Sequence, residues 1–203
     1  MVHVKVCGVT SLDDASMCVD LGVDAIGLNF WPRSVRRCEL DVAHTIVSAL
    51  RGKALFVGVF VDASEAEIAR TIEQVGLDCV QLHGDEPPSL VERFLPHAYK
   101  ALRVAGDSPL ARVRSYPGDH VLLDAYVAGM PGGTGATFDW SLAREVALER
   151  KLTLAGGLVP SNVAEAVRVV RPYCVDTASG VESSPGVKDR ELVMRFVEAA
   201  RLV

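Results

Sequence analysis

Val4-Lys5-Val6-Cys7-Gly8-Val9-Thr10 is a short apolar run that stops at a thiol and a glycine. Successive side chains of a strand point to opposite faces, so Val4 and Val6 lie on one side and Lys5 and Cys7 on the other. A helical pattern opens just after it, with Ser11 as a plausible cap. The rest of the chain repeats this unit: an apolar strand ends in a polar group or a glycine, and a loop then leads into a helix.

Working outward, helical spacing runs over 12–21 and stops at Gly22, and a second apolar run covers 25–30, with Asn29 at its end. The loop after Trp31-Pro32 carries Arg33, Arg36 and Arg37. Asp41 is expected to cap a helix that ends near Leu50, and Ser64 one that ends near Val75, with a strand over 55–61 between them. A strand over 79–83 puts Gln81 and His83 on one face. The pattern continues with a short helix over 89–95, a strand over 98–104, a helix over 109–116 and a strand over 120–125 holding Asp124. The glycine-rich loop Gly132-Gly133-Thr134-Gly135 precedes a helix that starts at Asp139 or Ser141. A strand over 152–155 ends in Gly156-Gly157, a helix spans 162–170, and a strand over 174–178 ends at Ser179-Gly180. A helix over 189–202 completes the series.

Strand followed by helix, about eight times over, implies parallel pairing through right-handed crossovers. Eight such units close into an α/β fold, a single (β/α)8 TIM barrel, near its lower size of about 200 residues. The rival is an open doubly wound sheet, which normally carries a glycine-rich fingerprint after its first strand; Cys7-Gly8-Val9-Thr10 is not one.

A chain of 203 residues, 49% of them hydrophobic, suits one catalytic domain over 1–203. The net charge of −5, with no long basic run, argues against nucleic acid as a partner. The apolar stretches are strand-sized, so no membrane span is expected, and no signal-peptide pattern precedes the first strand. Five cysteines at scattered spacings, with no C-x-x-C, argue against a disulfide framework or a structural zinc site and for the reducing cytoplasm.

In such a barrel the active site lies at the C-terminal ends of the strands. That rule gathers Cys7, Asn29, His83, Asp124, Gly156, Asp176 and Ser179 at one mouth. Each has an ordinary alternative. A buried cysteine is commonly a small core hydrophobe, and one that acts as a base needs a nearby cation or helix end to lower its pKa. Lys5 lies one layer deeper and is not an obvious source of that charge. It needs a partner of its own, and Asp176 is a candidate. Asp124 either caps a loop or serves as a general acid or base facing Cys7. His83 is either a hydrogen-bonded core histidine or a pocket residue. One strand-end histidine is too few for a metal-dependent sugar-phosphate epimerase.

The glycines point to an anion. Gly156-Gly157 and Ser179-Gly180 follow the seventh and eighth strands, where barrels of this kind commonly hold phosphate. Glycine lets backbone N–H groups approach the anion, and a short helix after the eighth strand would add its positive end. An arginine from the 33–37 loop would suit a second anionic group such as a carboxylate.

The residues resemble the phosphoribosylanthranilate isomerase family of tryptophan biosynthesis along essentially the whole chain. The matching stretches include Lys5 to Thr10, Ser34-Val35-Arg36, Gln81-Leu82-His83-Gly84, Leu122-Leu123-Asp124, Gly132 to Gly135, Ala155-Gly156-Gly157-Leu158 and Ser179-Gly180-Val181-Glu182 with Pro185-Gly186. The resemblance implies a cofactor-free, metal-free Amadori rearrangement of a small phosphorylated substrate. By the same resemblance Asp124 is the general acid and Cys7 the general base. Arg36 holds the anthranilate carboxylate, Gly156, Gly157, Ser179 and Gly180 hold the phosphate, and His83 lines the pocket. A monomer or a homodimer is expected. Two departures stand out: Val35 where proline is common, which would loosen the arginine loop, and Ala136 where lysine is frequent. Another phosphosugar barrel enzyme, an isomerase acting also in histidine synthesis and an inactive phosphate-binding module are the alternatives. The pair Cys7 and Asp124 speaks against each of them.

Overall fold

Eight parallel strands, each hydrogen-bonded to the next and the eighth to the first, close a (β/α)8 barrel in the computed structural model, which describes residues 1–104, 108–124 and 140–202. The strands are β1 (His3–Cys7), β2 (Ala25–Asn29), β3 (Leu55–Phe60), β4 (Cys79–Leu82), β5 (Ala98–Arg103), β6 (His120–Asp124), β7 (Lys151–Ala155) and β8 (Cys174–Thr177). Between them run α1 (Leu12–Asp20), α2 (Leu40–Leu50), α3 (Glu65–Val75), α4 (Pro88–Arg93), α5 (Leu110–Arg114), α6 (Trp140–Glu149) and α7 (Val163–Val170). A 3-10 turn at Ser179–Val181 and a small antiparallel ribbon, β9 (Glu182–Ser184) with β10 (Val187–Lys188), precede α8 (Arg190–Arg201).

Alternation sorts the strand residues into two apolar clusters. Val4, Val6, Ile26, Leu28, Phe56, Val80, Leu82 and Leu123 face outward, where they are buried against the helices. Each such side chain contributes about 1.5–3 kcal/mol by leaving water. The bore holds a smaller cluster, Ala25, Val57, Tyr99, Ala101, Leu122 and Ala155. Polar pairs complete it: Lys5 Nζ bonds Asp176 Oδ2 at 2.8 Å, and His120 Nε2 lies 2.8 Å from Thr153 Oγ1. Lys5 thus has the partner that its buried charge requires, in direct register across β1 and β8.

Several helix starts follow their local chemistry. Ser11 accepts from the Asp14 N–H, and Ser64 forms a reciprocal capping box with Glu67. The second helix departs from expectation, because its cap is Glu39 and Asp41 sits in its first turn. The Cys38 N–H donates to the Asn29 carbonyl at 2.8 Å, which holds the chain extended as far as Glu39. The ribbon β9–β10 was not expected either, although its Pro185-Gly186 turn is a recognised breaker pair. The glycine-rich loop Gly132–Gly135, Ala136 and Asp139 lie outside the described residues.

Candidate active site

All eight residues singled out as acid, base or ligand-binding groups line one cavity of about 250 Å³ at the C-terminal mouth: Cys7, Arg36, His83 and Asp124, together with Gly156-Gly157 and Ser179-Gly180. A larger cleft of about 700 Å³, lined by Trp31, Arg33 and Arg70 among others, contains none of the eight.

Cys7 is the last residue of β1, opposite Gly27 of β2. The missing side chain matters there: a Cβ on Gly27 would lie 2.8 Å from the Cys7 sulfur and 3.0 Å from its Cα. The thiol keeps partial exposure at the mouth but is densely surrounded, and burial pushes its pKa up. Lys5 opposes this through its charge and a side-chain hydrogen bond, and Lys188 adds a weaker pull in the same direction, while Asp176 pushes the thiol up. Lys5, not an obvious source of that charge from the sequence, is thus the strongest of the groups that lower the thiol pKa, although burial still prevails. The Lys5 ammonium bonds Asp176 at 2.8 Å, and its charge acts on the thiol from there. Burial works against the Lys5 charge, but Asp176, Cys7 and Tyr99 together outweigh it and hold the ammonium well above the ordinary lysine pKa.

Asp124 ends β6, and its Oδ2 lies 3.3 Å from His83 Nε2. His83 follows β4, and a buried clamp secures the backbone on either side of it. Lys100 Nζ donates to the Leu82 carbonyl at 3.0 Å, to the Gly84 carbonyl at 2.6 Å and to Glu86 Oε2 at 2.9 Å. Glu86 in turn accepts from the Gly84 and Asp62 N–H groups. Behind His83, Gln81 Nε2 lies 2.9 Å from its Nδ1, and the Tyr99 hydroxyl donates to Gln81 Oε1 at 3.0 Å.

Arg36 meets Glu182 side on. Its Nε lies 2.8 and 3.1 Å from the two carboxylate oxygens, and its Nη2 2.7 Å from Oε2. These contacts use one edge of a five-donor group, and an edge remains for another anion. Glu182 is itself held by Lys188 Nζ at 2.7 Å. Burial alone would raise the Glu182 pKa, but hydrogen bonds from Arg36 and Lys188 prevail and hold it below the usual range. The loop around Arg36 is also hydrogen-bonded despite Val35: Ser34 Oγ accepts from the Arg36 N–H at 3.1 Å and the Arg37 N–H reaches the Ser34 carbonyl.

The two glycine turns are joined to each other. Gly156 and Gly157 have positive φ, 97° and 68°, which favours glycine. Asn162 bridges their turn, accepting from the Val159 N–H and donating to the Gly157 carbonyl. The Thr177 hydroxyl donates to the Leu158 carbonyl at 2.8 Å, and Gly180 packs so closely that a Cβ would sit 2.1 Å from that same oxygen. After β8 there is only a three-residue 3-10 turn, where a short helix was expected. Sequence reasoning missed Glu182, Lys188 and Tyr99. Gln81 was placed on the His83 face, but its part in the chain behind that residue was not seen.

Among the described residues, no group of three or more His, Cys, Asp or Glu is placed to hold a metal ion. No described helix is long and apolar enough to cross a membrane.

Residues 4–199 match the family model described as N-(5'phosphoribosyl)anthranilate (PRA) isomerase. The N-(5'-phosphoribosyl)anthranilate isomerase of Myxococcus xanthus is 48% identical over 207 residues, covering 100% of this chain and 97% of that one. A crystal structure of phosphoribosyl anthranilate isomerase from Thermotoga maritima matches all of both chains with a TM-score of 0.91 at 39% identity. Another structure of such an isomerase, in complex with reduced 1-(o-carboxyphenylamino)-1-deoxyribulose 5-phosphate, matches both chains fully with a TM-score of 0.85 at 38% identity. The chain belongs to the phosphoribosylanthranilate isomerase family.

Proposed function

We propose that this protein rearranges N-(5-phosphoribosyl)anthranilate to 1-(2-carboxyphenylamino)-1-deoxyribulose 5-phosphate, with Asp124 as general acid and Cys7 as general base. The observation that carries this reading is that a thiol on β1 and a carboxylate on β6 line one mouth with an arginine and two glycine turns.

The substrate is bound at two ends. Gly156, Gly157, Ser179 and Gly180 offer backbone N–H groups to the phosphate, and Arg36, oriented by Glu182, offers its guanidinium to the anthranilate carboxylate. Asp124 gives its proton to the ribose ring oxygen as the C1–O bond breaks, and the anthranilate nitrogen lone pair forms the Schiff base. Cys7 as thiolate then takes the C2 proton, which leaves an enolamine. Return of a proton to C1 and loss of the enol proton give the ketone. Substrate and product are isomers, so the chemistry balances with one acid and one base, each worth about 10²–10⁴ in rate. Burial raises the thiol pKa, and the Lys5 ammonium opposes that rise and so favours the thiolate.

All eight candidate residues come from one chain, so a monomer and a homodimer are both compatible with this site. We assign the activity to one barrel domain over 1–203 and to the cytoplasm, where five free cysteines fit a reducing compartment.

The test is turnover of freshly made phosphoribosylanthranilate, followed by anthranilate fluorescence in EDTA, for wild type, Cys7→Ser and Asp124→Asn. Fast wild-type turnover is expected, with each variant lower by several orders of magnitude. A folded but inactive wild type would overturn the substrate assignment, and fully active variants would overturn the roles of the two residues.

A further inference from the structure

Behind the mouth runs a line of polar side chains that the proton transfers above do not use. Tyr99 of β5 and Gln81 of β4 are buried in the bore, joined by a 3.0 Å hydrogen bond from the Tyr99 hydroxyl to Gln81 Oε1. Gln81 Nε2 lies 2.9 Å from His83 Nδ1, and His83 Nε2 lies 3.3 Å from Asp124 Oδ2. Three strand side chains and His83, just past β4, therefore form one continuous chain that ends at the proposed acid.

The direction of the hydrogen bonds along this chain follows from the orientation of the Gln81 amide. A primary amide has one acceptor oxygen and one donor nitrogen. With the Tyr99 hydroxyl donating to the oxygen, the nitrogen faces His83, and an amide nitrogen only donates. Nδ1 of His83 must then be the lone-pair nitrogen, which leaves the ring proton on Nε2, next to Asp124.

An imidazolium carries N–H on both nitrogens, so its Nδ1–H would meet the Gln81 N–H. Turning the amide over relieves that clash only by taking the acceptor away from the buried Tyr99 O–H. Burial also holds the Tyr99 phenol well above its ordinary pKa, so it stays a donor. The charges around His83 come from several strands. Asp124 on β6 and Asp176 on β8 favour a cation, while Lys5 on β1 opposes one and already pairs with Asp176 at 2.8 Å. Cys7 shares the cavity, and Arg103 of β5 stands in register with Asp124.

We infer that Tyr99 and Gln81 are positioning residues that hold His83 as the neutral Nε2–H tautomer, so that it donates to Asp124 as an imidazole and not as an imidazolium. The inference rests on the reading of Asp124 as the general acid. A cation beside Asp124 would stabilise its carboxylate and make the proton harder to recover between turnovers. A neutral donor orients the acid without that effect.

The tautomer is read directly from two-bond 1H–15N spectra of the full chain labelled in histidine, with a His83→Gln variant assigning the signal. The expected wild-type pattern is a ring protonated on Nε2 and bare at Nδ1. Gln81→Glu replaces the donor by a carboxylate, so His83 should become doubly protonated. The fall of kcat at high pH should then begin at lower pH. Tyr99→Phe removes a single hydroxyl and frees the amide to turn. Mixed tautomers are expected, with kcat down about tenfold and KM near wild type. A wild-type ring protonated on Nδ1, or on both nitrogens at neutral pH, would overturn the inference, as would an unchanged ring in Gln81→Glu. If Gln81→Glu does not fold, the wild-type spectrum and Tyr99→Phe decide. Full activity of Asp124→Asn beside an Nε2–H ring would instead remove the acid assignment, and the positioning role with it. A wrong tautomer in an enzyme that Asp124→Asn inactivates would remove the positioning role alone.

Discussion

Lys188 Nζ donates to the backbone carbonyl of Cys7 at 2.7 Å, across 181 positions of sequence. The same buried ammonium reaches the Ala178 carbonyl at 3.2 Å and Glu182 Oε1 at 2.7 Å. It therefore ties the end of β1, the exit of β8 and the ribbon strand β9 at one point. Lys188→Met removes the cation and leaves the Glu182 carboxylate buried with less support. Breaking a buried ion pair from one side costs about 3–5 kcal/mol. Urea denaturation should show a loss of that size, and the surviving folded protein should have reduced kcat because the thiol backbone is no longer anchored.

Arg36 and Glu182 separate binding from chemistry. Arg36→Lys replaces a planar fork with a point charge, and hydrogen bonds to a charged group are worth about 1.5–3 kcal/mol. KM for phosphoribosylanthranilate should rise about 10–100-fold, with kcat much less affected. Glu182→Gln keeps one acceptor beside the guanidinium and should raise KM by less. Steady-state kinetics on the two variants check the order, and an equal loss of kcat in Arg36→Lys would contradict the assignment.

Gly27→Ala tests the space kept for the thiol. The added methyl would lie 2.8 Å from the Cys7 sulfur and 3.0 Å from its Cα, and a clash with the backbone is not relieved by rotating a side chain. The β1–β2 spacing must give, and a misplacement of about 1 Å can cost about 10²-fold in rate. The expected result is a kcat loss of that order with KM changed far less, together with a lower melting temperature.

His120 predicts a pH dependence of stability. Burial lowers its pKa from 6.5 to about 4 in the folded chain, while the unfolded chain keeps the ordinary value. As pH falls below 6.5 the unfolded state takes up a proton that the folded state refuses, so stability declines until about pH 4 and then levels. One pKa unit corresponds to about 1.4 kcal/mol, so lowering the pH from 7 to 5 should remove about 2 kcal/mol. Keeping above pH 5 avoids the separate loss from Glu182, whose depressed pKa makes its contribution disappear only as the pH falls below the ordinary carboxylate range. Urea midpoints for wild type and His120→Gln at the two pH values are the measurement. The variant should lose most of the slope.

Strand alternation is a local property, and it carried a large part of this structure. Val4 and Val6 against Lys5 and Cys7, repeated with a turn and a helix after each strand, led to a parallel barrel whose C-terminal ends carry the site. The placement of Cys7, His83, Asp124 and the two glycine turns followed from that periodicity, and Asp176 was a natural partner for a lysine inside a strand. What the local pattern could not specify is which side chains meet across the closed bore and over its rim. Lys5 pairs with Asp176, and its charge also acts on the Cys7 thiol. Gln81 and Tyr99 align behind His83 only once β4 and β5 are in register. Lys188 and Glu182 come from a ribbon whose residues carry no periodic signal, yet they hold Arg36 and the Cys7 backbone. Period-two patterning decides which face a residue takes, whereas hydrogen-bond partners and the charges that tune a thiol depend on distances set by closure of β8 onto β1.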